Sequence, residues 1–398
     1  MGFKNDIIII GQQPWDTEIG SNCKDIALEF SKTNRVLYIN SPLDRITMMR
    51  GKNNPRIQKR LQVIRKKEEG LYQVQDNLWN LYTDCIVESI NWINSSKLFN
   101  FLNKNNNGKL SKSIVSAIEK LDFQNVILFN DNEMFKAFYL KEYLKPTLSI
   151  YYSRDYMIGV NYWKKHGVRL EPLLIAKSDL CFSNSEYLAE YCRQYNPYSF
   201  NVGQGCDVRD FIAVTTPVPE ELKNLDRKLI GYVGSLNSER LDLKVIEEIA
   251  EAFPECDVVL VGPEDEQFKS SKLHQMQNVI FTGQKPVHEL PAYINSFDVC
   301  INPQVLNEIT IGNYPRKIDE YLAMGKAVVA TKTKTMEFFA DFVYLAETGQ
   351  DYIMLIRIAL AENNEASKLK RINFALTHTW EESVKKMTNE IDKMLKVK

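Results

Sequence analysis

Short β-branched runs alternate along this chain with longer stretches whose apolar residues fall at helical spacing, and the order of the two decides the fold class. Residues 6–10 and 35–39 are strand patterns, and between them 21–32 carries Ile26, Ala27 and Phe30 on one helical stripe. Strand, helix and strand in that order, with successive apolar residues in each strand, predict a βαβ unit whose parallel sheet is covered on both faces. Runs at 125–129, 147–152, 179–183 and 199–202 extend the pattern, with helical stretches such as 169–177 and 186–195 between them. The expectation is a doubly wound α/β domain.

The alternation breaks at 213–228, where Pro217 and Pro219 sit in a polar run that leads into charged residues. Paired prolines hold a segment extended, as an interdomain connection requires. The pattern resumes at 229–233, with a helix over 243–252 and further strands at 257–261, 279–282, 299–302 and 327–330. The 398 residues are enough for two such domains. We expect a first domain over 1–212, a linker over 213–228, a second domain over 229–378 and a final segment over 379–398. That segment is an amphipathic helix with Val384, Met387, Ile391 and Leu395 on one stripe.

What the sequence lacks narrows its chemistry. Lys+Arg is 50 and Asp+Glu is 51, a net charge of −1 that argues against a nucleic-acid binder working by bulk positive charge. There is no G-x-x-x-x-G-K-[ST], no H-E-x-x-H and no G-x-S-x-G, and the turns at Gly11 and at Gly203-Gln204-Gly205 lack the third glycine of a dinucleotide fingerprint. No Asp-x-Asp occurs, so a metal-bridged diphosphate is not expected. The seven cysteines form no C-x-x-C pair and the four histidines are far apart, which fits reduced thiols and no metal site. No apolar run approaches the ~20 residues of a membrane span, and the first residues show no cleavable leader. The expected location is cytoplasmic.

Two segments of the first half stand outside the alternation. Residues 50–67 hold Arg50, Lys52, Arg56, Lys59, Arg60, Arg65, Lys66 and Lys67 and no acid. They read either as a solvated face or as a patch for an anionic membrane or acidic acceptor. Residues 91–107 contain seven asparagines around Leu98, Phe99, Phe101 and Leu102, and predict a short core-facing helix with loop flanks.

The richest stretch for chemistry is 313–331. Pro315 suits the first turn of a helix, Ile318, Tyr321 and Leu322 form its buried stripe, and Gly325 ends it ahead of a buried strand. A helix start after Gly312 and Asn313 offers free backbone N–H groups to an anion, Arg316 and Lys317 add charge, and Glu320 can accept from paired hydroxyls. Gly231-Tyr232-Val233-Gly234-Ser235-Leu236 is a strand-to-loop turn where a ligand can approach backbone, with Arg240 shortly after. Gly262, Gly283 and Asn302-Pro303 end the next strands, and ligands of open α/β sheets bind at such carboxyl ends. Together these parts can hold a diphosphate and a ribose without a metal.

These motifs resemble the retaining GT-B glycosyltransferases of the group 1, or family 4, kind, in the style of bacterial teichuronic-acid-type enzymes. Asn184 between Ser183 and Ser185, Gly205-Cys206-Asp207 and Phe211 carry the likeness into the first half. The resemblance implies two facing Rossmann-like domains with a cleft between them. The second would bind a nucleoside-diphosphate sugar, with UDP favoured over GDP, and the first a glycan or lipid-linked acceptor hydroxyl. The final helix would return to the first domain. It implies that Glu320 holds the ribose, that Lys317 and Arg240 contact the diphosphate, that Gly11 approaches the donor phosphates, and that Asp155 lies in the catalytic turn of the first domain. In this sequence Gly312 stands where the family's paired-Glu motif has its first glutamate. Ser153-Arg154-Asp155 occupy the place of its inner-strand histidine. A nucleotide-sugar epimerase of the same fold and a non-catalytic nucleotide- or glycan-binding partner of another transferase are the alternatives.

Overall fold

In the computed structural model, which describes residues 5–17, 21–51, 53–211, 217–308, 310–362 and 364–397, the apolar runs become the strands of two mainly parallel sheets. Each sheet has its own compact unit, one formed by Met1–Gly203 with Ser383–Lys398 and the other by Gln204–Glu382.

The strands of the first unit are β1 (Asp6–Gly11), β2 (Arg35–Ile39), β3 (Leu43–Asp44), β4 (Leu71–Gln75), β5 (Leu78–Leu81), β6 (Ile86–Val87), β7 (Ile127–Asp131), β8 (Leu148–Ser153), β9 (Leu180–Ser183) and β10 (Ser199–Asn201). Eight form one sheet in the order β10-β9-β8-β7-β1-β2-β5-β4, while β3 and β6 pair apart from it. β1 is central, with Ile7 opposite Val36 on one side and Ile127 on the other, both parallel. Only the β4–β5 pair is antiparallel. Ile8 and Ile10 pack with Leu110, Ile114 and Ala117 of a helix that crosses one face.

That helix, Ser96–Leu121, corrects the short element expected over 91–107. Its asparagines do not break it because two buried ones, Asn106 and Asn107, bond elsewhere in the fold. The Asn107 side chain donates to Phe135 O at 3.0 Å and accepts from Tyr139 N at 2.9 Å, and Asn106 exchanges two bonds with the Glu88 backbone. Its core-facing side is Phe99 with Leu102, whereas Leu98 and Phe101 are exposed.

The second unit holds β11 (Lys228–Val233), β12 (Cys256–Val261), β13 (Val279–Gly283), β14 (Val299–Asn302), β15 (Ala327–Thr331) and β16 (Tyr344–Ala346). Their order is β13-β12-β11-β14-β15-β16 and every pair is parallel. Side chains alternate between two cores, Val259, Val261, Cys300 and Val328 to one face and Val258, Leu260, Ile301 and Val329 to the other. This explains why each strand reads as continuously apolar.

The unit boundary falls earlier than residue 212, because Cys206, Val208 and Phe211 join the core that contains Tyr314 and Tyr321. Residues 213–216 of the expected linker lie outside the described residues. The last helix is Trp380–Val397. Its Ser383 hydroxyl is bonded to Val202 O and Gly203 O at 3.0 and 2.9 Å, and Val384, Met387 and Ile391 are buried.

Candidate functional site

β11 opens the second unit and sits at its centre, with β12 on one side and β14 on the other. The winding reverses between β11 and β14, and that reversal opens a crevice at their carboxyl ends. The loops there are tied together through backbone. Arg240 N–H donates to Asn237 O and Val305 N–H donates to Arg240 O, both at 2.9 Å, while Asp242 N–H donates to Pro303 O at 2.8 Å. Arg240 thus bridges the loop after β11 and the loop after β14. Its side chain is exposed and makes no ion pair among the described residues.

Gly234 and Gly262 end β11 and β12 with φ of +142° and +149°, values that side chains disfavour. A Cβ on Gly262 would lie 1.9 Å from Gly234 O, so the two turns touch through backbone alone. Ser235 is exposed beside them and its carbonyl accepts from the Tyr232 hydroxyl at 3.3 Å. Gly283 ends β13, opposite Val261, with open space around it.

The helix from the 313–331 stretch spans Lys317–Ala323, so it starts later than the expected position near Asn313. Asn313 and Pro315 precede it: Asn313 N–H closes a turn onto Thr310 O at 3.0 Å, and Gly312 is buried. The anion site expected at Asn313 therefore has no helical N–H groups at that residue. What the helix does deliver is Lys317. Its ammonium donates to the Tyr232 hydroxyl, lies 4.0 Å from that ring's centroid, and would be 2.6 Å from a Cβ on Gly234. Val233 N–H donates to the Tyr321 hydroxyl at 2.9 Å, which pins the helix to the end of β11. Glu320 is half-buried and its carboxylate accepts no hydrogen bond among the described residues. Burial pushes that carboxyl above its usual range, and the Arg316 and Lys317 charges pull it back. The Arg316 Nε is buried without a hydrogen-bond partner among the described residues. One turn is held by a group the sequence reading passed over: Asp319, wholly buried, accepts from Tyr314 OH at 2.8 Å and pairs with His378 Nδ1 at 2.7 Å.

The first unit has its own reversal, at β1 between β2 and β7. Gly11 ends β1 so tightly that a Cβ would lie 2.8 Å from Cys23 Sγ and 2.9 Å from the Asp131 carboxylate. Asp131 ends β7, is fully buried, and takes the Arg154 Nε at 2.9 Å; the same guanidinium reaches Asp155 at 2.8 Å. Burial raises the Asp131 carboxyl and Arg154 opposes the shift. Beside this chain of charges the Ser153 and Ser183 hydroxyls are buried without hydrogen-bond partners among the described residues. Gly11 and Asp155 are thus linked through Asp131 and Arg154. Asp131 was not anticipated, although an Asn-Asp pair at the end of an apolar strand is a readable signal.

Several known proteins share this architecture or part of this sequence. Residues 227–357 match the family described as glycosyl transferases group 1. That group 1 segment runs from β11 past β16 and contains every candidate residue of the second unit. TuaH of Bacillus subtilis (strain 168), provisionally assigned as a teichuronic acid biosynthesis glycosyltransferase, is 32% identical over 161 residues. The match covers 38% of this chain and 40% of TuaH, so the chain spans about two-fifths of that relative's length. The structural neighbours of these two mixed α/β units are GT-B glycosyltransferases. Anabaena Alr3699/HepE, solved with UDP, superposes with a TM-score of 0.69 at 13% identity, covering 98% of this chain and 100% of that one. Sucrose-phosphate synthase from Thermosynechococcus elongatus gives 0.66 at 14%, with 99% and 100% covered. The α,α-trehalose 6-phosphate synthase of Burkholderia multivorans gives 0.70 at 9%, also with 99% and 100% covered.

Proposed function

We propose that the chain is a retaining glycosyltransferase that moves a sugar from a nucleoside-diphosphate sugar, UDP rather than GDP, to a hydroxyl of a glycan or lipid-linked acceptor in cell-surface polysaccharide synthesis. The observation that carries the reading is the crevice between β11 and β14 in the group 1 segment. There Lys317 meets the Gly234 turn, Arg240 stands exposed on the loop after β11, and the Glu320 carboxylate lies one turn along the Lys317 helix. Gly234, Ser235, Gly262 and Gly283 give close backbone approach to the donor. Lys317 and Arg240 stabilise the charge that grows on the departing diphosphate, the dominant demand of such a transfer. Glu320 accepts hydrogen bonds from the ribose hydroxyls, and Gly312 and Asn313 line the same end of the unit. In the first unit the loop at Gly11 approaches the donor phosphates, and Asp155, held by Arg154, lies in the catalytic turn. Because side chains supply the positive charge, transfer proceeds without a metal. The protein works in the cytoplasm, at or near the inner face of the membrane.

The test is transfer or donor hydrolysis by the purified chain with UDP-glucose and other UDP-sugars, with and without EDTA. Turnover that persists in EDTA supports the reading, and complete loss refutes metal independence. Gly312 in place of a glutamate favours one second reading, a nucleotide-binding partner without activity. That protein would bind UDP and neither hydrolyse nor transfer.

A further inference from the structure

The helix Arg45–Arg50 in the first unit has no buried residue, although it carries Ile46, Met48 and Met49. Ile46 is 40% and Met49 65% exposed. A helix with apolar side chains and no buried face lacks the packing that normally stabilises so short an element. Two aromatic residues extend the surface. Trp92 is 71% and Tyr162 56% exposed. Backbone and side-chain bonds hold all of this together: Ile46 N–H donates to Ser89 Oγ at 3.1 Å, Trp92 Nε1 donates to Ser89 O at 2.8 Å, and Asn91 donates to Tyr162 O at 2.8 Å. Asp44 caps the helix, its carboxylate accepting from Thr47 N–H at 3.0 Å.

The surroundings are cationic. Residues 45–67 contain nine Lys and Arg and no acid. Part of that charge is already paired: Arg45 donates to both Glu88 carboxylate oxygens, at 2.8 and 2.6 Å, Arg60 pairs with Asp16, and Lys59 stands over the Tyr72 and Tyr82 rings. Arg50 is exposed and makes no ion pair among the described residues, and Lys165 holds its ammonium on Trp92 O at 2.8 Å. Among the described residues no helix is long and apolar enough to cross a membrane. An exposed apolar wedge with a Trp and a Tyr at its edge and the exposed Arg50 at the end of its helix matches a lipid interface, where such side chains sit between acyl chains and anionic headgroups.

We propose that this face, rather than the basic segment 50–67 as a whole, docks the protein on an anionic phospholipid surface, with Ile46, Met49 and Trp92 entering the interface and Arg50 meeting the headgroups. The docking stands apart from the donor-site reading and places a lipid-linked acceptor within reach of the first unit.

The experiment is cosedimentation of the intact chain with phosphatidylglycerol vesicles and with phosphatidylcholine vesicles, at low and physiological salt, alongside tryptophan emission. Wild type should bind the phosphatidylglycerol vesicles, more strongly at low salt, with an emission blue shift that Trp92→Phe removes. The Ile46→Glu/Met49→Glu double variant should bind about tenfold more weakly or worse. Its unchanged melting temperature and UDP affinity would show an intact fold and donor site. No binding of wild type at low salt overturns the proposal, and so does equal binding of the double variant. A concentration-dependent dimer that the double variant abolishes, without vesicle binding, also overturns it in favour of a second copy. UDP titration on the same samples reports the donor site separately, so either reading can fail alone.

Discussion

One methyl group at Gly262 tests how the donor-side turns are built. In Gly262→Ala the new Cβ would lie 1.9 Å from Gly234 O and 2.7 Å from Gly234 C. Neither atom can rotate away, because both are backbone and Gly234 N–H is bonded to Val261 O at 2.9 Å. The φ of +149° adds strain of about 1–3 kcal/mol, and the forced contact adds a similar ~1–3 kcal/mol. The sum is about 2–6 kcal/mol. For a unit of this size, at about 2–4 °C per kcal/mol, it lowers the melting temperature by roughly 4–24 °C. Gly283→Ala is the matched control, since its φ of +69° carries strain but nothing stands within 4 Å of a new Cβ. It should cost about 1–2 kcal/mol, a drop of roughly 2–8 °C. Differential scanning calorimetry reads both, and UDP titration below the transition should show Gly262→Ala binding more weakly than wild type. If the two variants melt together, the backbone contact between the turns does not have the consequence assigned to it.

Other expectations concern charge. Glu320→Ala should weaken UDP binding by about 1.5–3 kcal/mol, the scale of hydrogen bonds to a charged group, and calorimetry that finds no change would remove Glu320 from the ribose. Arg154→Met leaves the buried Asp131 carboxylate without its cation and should cost about 3–5 kcal/mol in urea unfolding; Asp131→Asn added to it should recover part of that loss. Glu171 is buried against the Tyr151 and Tyr191 hydroxyls at 2.6 and 3.3 Å, and burial pushes its carboxyl up to about 7. The folded state then keeps a proton that the unfolded chain releases near 4.5. Stability therefore falls as pH rises from there to about 7 and stays low above it, by ~3 kcal/mol in all. Glu171→Gln should match wild type at about pH 5 and melt higher than wild type at about pH 8; identical profiles would refute the assignment.

Much of the architecture was legible because parallel strands buried on both faces leave an unmistakable run. The 229–233 and 327–330 patterns lie within Lys228–Val233 and Ala327–Thr331. Local patterns failed where tertiary bonds override propensity. The asparagines near 103–107 suggest a loop by composition, yet they sit in a 26-residue helix because the Asn106 and Asn107 amides satisfy neighbouring backbone. The β4–β5 hairpin escaped notice because its turn is only Asp76-Asn77, with Asn77 at φ +63°. In the site, the glycine turns and Lys317 could be picked out from type and spacing. The Asp319–His378 pair could not, since its members are far apart in sequence, and neither could Asp131 with Arg154. The start of the helix at Lys317 was misplaced towards Asn313, because Pro315 marks a helix start without fixing its register.

The central claim is that a nucleoside diphosphate binds where Lys317 meets the Gly234 turn. Calorimetric titration of UDP into wild type and Lys317→Met tests it most directly. The account predicts that UDP binds wild type and that Lys317→Met binds at least about tenfold more weakly, with its fold intact by melting temperature. Equal affinity in the two proteins, or no UDP binding to wild type, would contradict it.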